Sequence, residues 1–255
     1  MIKITFIHHS SFAVEFPDKV LIFDYFDPSR MSEVTFTGVL PEFDEEKKLY
    51  FFASHKHRDH FDMDVLKFMD TKNPVSFLFS KDTKMSGNFL KKHGFDPERC
   101  REHIHYFGPG EDHEVDDMKI HTFRSTDEGV AFYVETNGKT LFHAGDLHWW
   151  KWEGAGDLIN GKVGREFQRQ IKWMADKIIN FAFVVLDPRL QQHTFLGMDF
   201  FMKNVLADHV FPMHMWQDYD VIRRYKSRTD NKAFTDRIVD ITKENSVFLF
   251  EEASS

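Results

Sequence analysis

Apolar and polar residues alternate at the start of the chain, which predicts β-strands. Segments 11–16 and 19–23 are typical of two strands of a hairpin, because a Pro-Asp pair separates them. Further along, the continuous apolar runs at 49–53 and 181–186 and the mainly apolar segment 75–80 are typical of strands that are buried on both faces. These runs indicate sheets that are covered on both sides.

Helical patterns separate several of the strands. We predict helices over 62–69, 81–93, 164–179 and 198–207. An Asn-Gly pair at 137–138 predicts a further hairpin, and polar residues gather where strands end. The order of elements favours an α/β protein with two sheets packed face to face and helices outside them.

The segment that follows the strand at 49–53 is rich in metal-binding side chains. His55, His57, Asp59 and His60 supply three imidazoles and a carboxylate within a short loop. A loop can turn His55 and His57 toward one cation while Asp59 and His60 face another. Imidazole and carboxylate ligands suit zinc, iron and manganese. A coincidental polar loop is the alternative, and the density of ligands directly behind a buried strand argues against it.

The amino-acid composition and the net charge limit the kinds of molecule that the protein is expected to bind. The chain has 255 residues, of which 42% are hydrophobic and 29 are Phe, which is enough apolar area for a sizeable core. A formal net charge of -8 disfavours nucleic acid as the main partner. No run approaches the about 20 apolar residues of a membrane helix, and the single cysteine, Cys100, excludes an internal disulfide. We expect a cytoplasmic protein with a small-molecule substrate and no membrane partner; the oligomeric state, a homo-oligomer included, stays open.

The cluster at 55–60 resembles the His-x-His-x-Asp-His signature of the metallo-β-lactamase superfamily. Three other segments resemble the family in the same order along the chain. Segment 142–146 resembles the strand that ends in the metal-bridging aspartate, and 211–214 resembles the last ligand strand. Segment 9–12 resembles the Gly-His-Ala/Ser opening of the subfamily that includes L-ascorbate-6-phosphate lactonase, with His8 in place of the glycine.

The resemblance implies a single metallo-β-lactamase-like domain over residues 1–255. Its fold would be a four-layer αβ/βα sandwich of two mixed β-sheets with helices on the outer faces. Two divalent transition-metal ions are implied as cofactors, zinc first, with manganese or iron as alternatives. The implied ligands are His55 and His57 on the first ion, Asp59, His60 and His214 on the second, and Asp146 as the bridge.

One ligand position departs from the family. The family has a histidine shortly before a Gly-rich turn, whereas segment 123–130 holds none. We predict that Asp127 replaces it on the first metal, because Ser125, which aligns with the histidine, offers only a neutral hydroxyl. The alternative is that Asp127 and Glu128 are turn residues only. The first metal would then have two histidines and Asp146.

Several side chains around the predicted metals receive further roles. Asp59 is a predicted catalytic residue that orients the nucleophile and receives its proton. His148 follows Asp146 by two residues and is predicted to be a catalytic acid or a substrate contact, with a surface-loop histidine as an equal alternative. His9 is predicted to bind substrate, with the orientation of a metal ligand as the alternative. Asp187, at the end of a buried strand, is predicted to support a ligand or to cap a helix.

The predicted function is metal-dependent hydrolysis. Two metals lower the pKa of a shared water, which gives a hydroxide nucleophile near neutral pH, and they polarise the scissile bond. The resemblance to the lactonase subfamily favours an ester, lactone or similar bond in a small substrate that can be phosphorylated. One alternative is a phosphodiesterase or nuclease of the same superfamily. Another is a non-catalytic metal-binding scaffold, which the missing third histidine would favour.

Overall fold

A computed structural model describes residues 1–31, 34–228 and 232–251. The chain forms two compact units, each with one mixed β-sheet. The first unit comprises Met1–Gly108 and Glu244–Ser255, and the second comprises Pro109–Lys243. The two mixed sheets with accompanying helices agree with the predicted α/β class. The single domain predicted over the whole chain stays a prediction.

The first unit is built on a seven-stranded sheet. Its strands are β1 (Ile2–His8), β2 (Ser11–Glu15), β3 (Lys19–Phe23), β4 (Lys48–Ala53), β5 (Val75–Ser80), β6 (Ile104–Phe107) and β13 (Ser246–Phe250). The order across the sheet is β13-β1-β2-β3-β4-β5-β6. Neighbours from β3 to β6 are parallel, whereas β2 is antiparallel to both β1 and β3. Strands β1, β3 and β4 therefore end at the same edge of the sheet, and the loops that follow them start there.

Aromatic residues fill the core of this unit. Phe51 of β4 is 2% exposed, and its ring lies 4.7 Å from that of Phe68 and 5.8 Å from that of Phe77. Full burial of such a side chain contributes about 1.5–3 kcal/mol. The packing therefore fixes β4 firmly, and with it the start of the loop that carries His55.

The helices of the first unit differ in part from the prediction. They are α1 (Gly87–Lys92) and α2 (Pro97–His103), with a 3-10 helix at Met63–Asp70. Asp62 caps this 3-10 helix, as predicted for a helix at that place. The helix predicted over 81–93 is wrong in extent, because the Ser86 side chain accepts a hydrogen bond from the backbone of Phe89 and α1 starts only there.

The second unit is built on a six-stranded sheet. Its strands are β7 (Asp112–Val115), β8 (Met118–Arg124), β9 (Val130–Thr136), β10 (Lys139–His143), β11 (Ile178–Val185) and β12 (Leu206–Met213). The order is β12-β11-β10-β9-β8-β7, with β10, β11 and β12 parallel and the remaining neighbours antiparallel. Strands β8, β10, β11 and β12 therefore all end at one edge of this sheet.

The helices of the second unit are α3 (Asp157–Lys172), α4 (Leu196–Asn204) and α5 (Asp220–Lys226). The helix predicted over 164–179 is wrong in its limits, because α3 starts seven residues earlier and Ile178 already belongs to β11. Leu158 and Ile159 in the first turn of α3 are exposed, so the apolar side chains of that turn do not belong to the buried face of the helix. Among the described residues, no helix has the length and the apolar character that crossing a bilayer requires.

Candidate metal centre

In the first unit, polar side chains follow β1, β3 and β4 at the shared edge. His9 comes directly after β1, Asp24 directly after β3, and His55 two residues after β4. His9 and Asp24 have φ angles of 48° and 46°, in the left-handed region. Such a conformation turns the chain sharply. The sheet edge therefore collects these side chains from segments that are distant in sequence.

Asp24 is the anchor of this cluster. Its carboxylate, buried to 1% exposure, accepts hydrogen bonds from the backbone N–H and the hydroxyl of Ser54, both at 2.7 Å. The same carboxylate lies 2.8 Å from Nδ1 of His60. An imidazole that donates from Nδ1 to a carboxylate carries its lone pair on Nε2, the atom that would bind a metal. Asp24 thus fixes the orientation of the His60 ring, as a metal-binding histidine would require.

The remaining side chains of the loop form two groups. His55 Nδ1 lies 2.9 Å from the Ser54 hydroxyl, and His55 Nε2 lies 3.0 Å from His57 Nδ1. In the other group, Asp59 Oδ2 lies 3.3 Å from His9 Nε2 and 3.9 Å from His60 Nε2. His9, Asp59 and His60 each offer one ligand atom within 4.8 Å of the others. The division into a His55–His57 group and an Asp59–His60 group follows the predicted assignment to two ions.

His8 and His9 have different surroundings. His8 is fully buried, its Nε2 lies 3.1 Å from the carbonyl oxygen of Phe26, and its ring packs against those of Phe26 and Phe36. Burial lowers the pKa of His8 to about 4. His8 is therefore a neutral core residue at neutral pH, whereas His9 contacts Asp59. The role of His9 in binding substrate stays a prediction.

In the second unit, the ends of β10, β11 and β12 supply Asp146, Asp187 and His214. His214 Nε2 lies 3.5 Å from Asp146 Oδ1, and His214 Nδ1 lies 3.0 Å from Asp187 Oδ2. All three side chains are buried. Asp187 also caps the following 3-10 helix by accepting a hydrogen bond from the backbone N–H of Arg189. The helix-capping role predicted for Asp187 is therefore confirmed, whereas its support of a metal ligand stays a prediction.

Electrostatics keep Asp187 ionised. Burial alone would raise the pKa of its carboxyl, but hydrogen bonds from His214 and Arg189 outweigh that effect and hold the pKa well below its usual range. The Asp187–His214 pair repeats the Asp24–His60 pair of the first unit. In each unit, a buried aspartate at a strand end holds Nδ1 of a histidine, and Nε2 lies beside a second carboxylate.

His148 lies in the core of the second unit. Its ring is fully buried, 4.9 Å from the ring of Trp150, and neither ring nitrogen has a hydrogen-bond partner among the described residues. Burial lowers the pKa of His148 to about 4. The surface-loop alternative is therefore wrong, because the side chain has no solvent contact. The catalytic role of His148 stays a prediction.

The turn that holds Asp127 connects β8 to β9. Asp127 is exposed, and its backbone N–H donates to the hydroxyl of Ser125 at 3.1 Å. Thr126 fixes the turn to the loop after β10, because its hydroxyl accepts from the backbone N–H of His148 at 2.9 Å and donates to the His148 carbonyl at 2.6 Å. Asp127 as a metal ligand stays a prediction.

Comparison with known families identifies the fold. Residues 3–153, more than half of the chain, match the model of the beta-lactamase superfamily domain. The chain belongs to the metallo-β-lactamase superfamily. Membership confirms the predicted class, a metal-dependent hydrolase with a metallo-β-lactamase fold. No curated protein matches the chain significantly.

Solved structures of the superfamily share this fold at low sequence identity. Igni18, a metallo hydrolase from Ignicoccus hospitalis KIN4/I, is similar over 98% of this chain and 99% of its own, with a TM-score of 0.60 and 16% identity. Isothiocyanate hydrolase from Delia radicum gut bacteria is similar over 97% of this chain and 99% of its own, with a TM-score of 0.54 and 15% identity. CmlA, a diiron β-hydroxylase from Streptomyces venezuelae, is similar over 84% of this chain and 45% of its own, with a TM-score of 0.51 and 11% identity.

The donor atoms of both units fit the metals that this superfamily implies. Each unit contributes buried imidazoles and carboxylates, the ligands that zinc, iron and manganese share. In each unit, an aspartate fixes the orientation of one histidine, as metal-binding histidines require. No role was predicted for Asp24 from the sequence, although it follows a buried strand, which is the same signal that singled out Asp187.

Proposed function

We propose that this member of the superfamily hydrolyses an ester, lactone or similar bond in a small-molecule substrate with the help of two divalent metal ions. The observation that carries the proposal is the pair of buried aspartates, Asp24 and Asp187, that orient His60 and His214. Such a carboxylate–histidine pair raises the basicity of a metal-binding imidazole. A surface histidine without a metal would not require it.

The proposed ligands are those that the family signature assigns. They are His55 and His57 for the first ion, Asp59, His60 and His214 for the second, and Asp146 for both. Asp127 is added to them as a substitute for the histidine that this chain lacks. Zinc is the first candidate, and the same donors accept iron or manganese. The diiron centre named for CmlA makes iron the strongest rival.

Bound metals would supply Lewis acidity, which polarises the scissile bond and acidifies water. The side chains of this chain then have separate tasks. Asp59 receives the proton of the attacking water at Oδ2, and His9, whose Nε2 lies 3.3 Å from that atom, holds the carboxylate in place. His148 has a neutral imidazole, because burial lowers its pKa, and its ring packs against that of Trp150. The single cysteine supports a cytoplasmic location for this chemistry.

The test combines metal analysis with a substrate panel. Purified protein is expected to carry two transition-metal ions per chain and to hydrolyse an aryl ester or a lactone faster than a phosphodiester. Asp146→Ala should lower turnover by several orders of magnitude, whereas Asp157→Ala, in the exposed first turn of α3, should leave it unchanged. Turnover that survives Asp146→Ala rejects the assignment of that residue.

The same panel separates the rival functions. Hydrolysis of the phosphodiester alone would favour a phosphodiesterase or nuclease. Two bound metals without turnover of any substrate would favour a metal-binding scaffold. A protein that neither retains metal nor gains activity when zinc, iron or manganese is added would contradict the proposal as a whole.

A further inference from the structure

The second unit also contains a basic surface cavity beside α3. The cavity has a volume of about 720 Å³ and lies between α3 and the end of β8. Small-molecule sites have volumes of roughly 300–1,000 Å³. Four basic side chains line it: Lys162, Arg165 and Arg169 of α3, and Arg124 at the end of β8. The cavity therefore has the size of a ligand site, and its lining is rich in positive charge.

The positive charge of the cavity is largely uncompensated. Glu166 is the one carboxylate in the lining, and it already accepts hydrogen bonds from Arg169 and Gln170, both at 2.6 Å. Among the described residues, neither Lys162 nor Arg165 forms an ion pair. This local excess of cations lies in a chain whose formal net charge is -8. A cavity of opposite sign to the protein attracts anions selectively.

Helix geometry explains how the cations converge. Lys162, Arg165, Glu166 and Arg169 are spaced three, four and seven residues apart from the first, so they share one face of α3. Ile159 lies on the same side, is 58% exposed and lines the cavity with an apolar surface. The cavity thus offers cations for an anionic group and an apolar wall for an organic one.

Two elements that line the cavity also contact the loop that carries Asp146. Thr126 lines the cavity, and its hydroxyl is hydrogen-bonded to the backbone of His148 at 2.9 Å and 2.6 Å. On the other side, α3 lies directly on Trp149, since a Cβ added at Gly164 would stand 2.5 Å from Trp149 Nε1. A ligand in the cavity therefore touches elements that hold the loop of the proposed metal ligand Asp146.

We propose that this cavity binds the phosphate group of a phosphorylated organic substrate through Arg124, Lys162 and Arg165. A doubly charged phosphate matches several unpaired cations better than a single carboxylate does, and arginine binds phosphate with paired hydrogen bonds. The substrate assignment rests on the proposed hydrolase function, whereas the binding of phosphate does not.

Binding is tested with inorganic phosphate on the full-length protein as purified, at constant ionic strength. Backbone amide NMR shifts locate the bound ion, so phosphate elsewhere on the protein does not interfere. We expect shifts in α3 and at 124–126. Lys162→Gln and Arg165→Gln should each weaken binding about tenfold, the usual effect of losing one charged hydrogen bond. Lys172→Gln, the same change at a position of α3 outside the cavity, should change affinity less than about twofold, because this side chain does not line the site and solvent screens its remaining effect.

Phosphate that shifts no amide in α3, or equal weakening by Lys172→Gln, overturns the proposal. So does an RNA oligonucleotide that binds through Lys162 and Arg165 while phosphate does not. For an active enzyme, Lys162→Gln should raise KM for a phosphorylated ester and leave KM for the unphosphorylated ester unchanged. Phosphate binding without any hydrolysis would contradict the proposed function and leave the binding site standing; hydrolysis without phosphate binding would do the reverse.

Discussion

Gly197, in the first turn of α4, tests the packing around His148 directly. A Cβ added at this position would stand 2.3 Å from Cε1 and 2.5 Å from Nδ1 of His148. The imidazole cannot retreat easily, because it is fully buried and packs against Trp150 and Phe167. We therefore expect Gly197→Ala to destabilise the protein.

The size of the effect follows from two opposing contributions. Alanine in a helix is more favourable than glycine by about 0.5–1 kcal/mol. Overpacking of a buried site costs about 1–3 kcal/mol. The expected net loss in the free energy of unfolding is roughly 1 kcal/mol, within a range of about 0–2.5 kcal/mol. Gly161→Ala in α3 is the matched control, because its added Cβ would meet only the flexible end of Arg165, at 3.3 Å.

Urea unfolding monitored by circular dichroism measures both variants. Gly161→Ala should be as stable as the parent protein or more stable, and Gly197→Ala should unfold at lower urea. In a His148→Ala background, Gly197→Ala should lose most of its cost, which gives a coupling energy of about 1 kcal/mol or more. If Gly197→Ala and Gly161→Ala unfold at the same urea concentration, the packing of His148 against α4 is refuted.

Three further predictions concern the metals. Replacing His55 and His57 together by Ala should remove one of two metal ions per chain, measured by elemental analysis; full metal content in this variant would reject the ligand assignment. Asp24→Asn should weaken metal binding about 10–100-fold, measured against a competing chelator, because the charge beside His60 is lost; unchanged affinity would deny Asp24 its orienting role. Asp127→Ala should lose the first metal, and Asp127→His should keep both and favour zinc over manganese or iron; unchanged metal content in Asp127→Ala would favour a turn residue and a ligand shell completed by water.

The strands could be predicted well because their signal is local. The run at 75–80 coincides with β5, and the hairpin of 11–16 and 19–23 matches β2 and β3. Each is a stretch of apolar residues in a sheet buried on both faces, so the residues themselves carry the pattern. The edge strand β7 was missed, since three of its four residues are charged or His and it has one buried apolar side chain.

Helices were harder because their limits depend on partners that the sequence does not display. The predicted helix at 164–179 follows an apolar stripe, but Trp173 and the residues after it form turns before β11 begins. Helix α2 is short and has a single buried side chain, Cys100, so it shows almost no periodicity. Its capping Asp96 and the following Pro97 were the available signal.

The residues of the candidate site differ in the same respect: some have a local signal in the sequence, and others depend on distant partners. The predicted ligands at 55–60 lie together in sequence, so the sequence alone could single them out. Asp24 and Thr126 act through contacts with segments 30 and 22 residues away, which only a folded chain displays. Single hydrogen-bonding residues of this kind have no spacing rule, whereas metal ligands do.

The order of synthesis gives strand β13 a particular importance. It pairs with β1, Ile2 opposite Phe250 and Phe6 opposite Ser246, so the first strand of the sheet is completed by residues made more than two hundred positions later. The second unit, Pro109–Lys243, is continuous in sequence, and all of it is synthesised before Ser246. During synthesis, the edge of β1 that pairs with β13 therefore stays without a partner until β13 has been made. Unpaired strand edges of this kind promote aggregation of nascent chains. A chain truncated before Ser246 would keep that edge open permanently and should be recovered from cells mainly as insoluble protein or bound to chaperones.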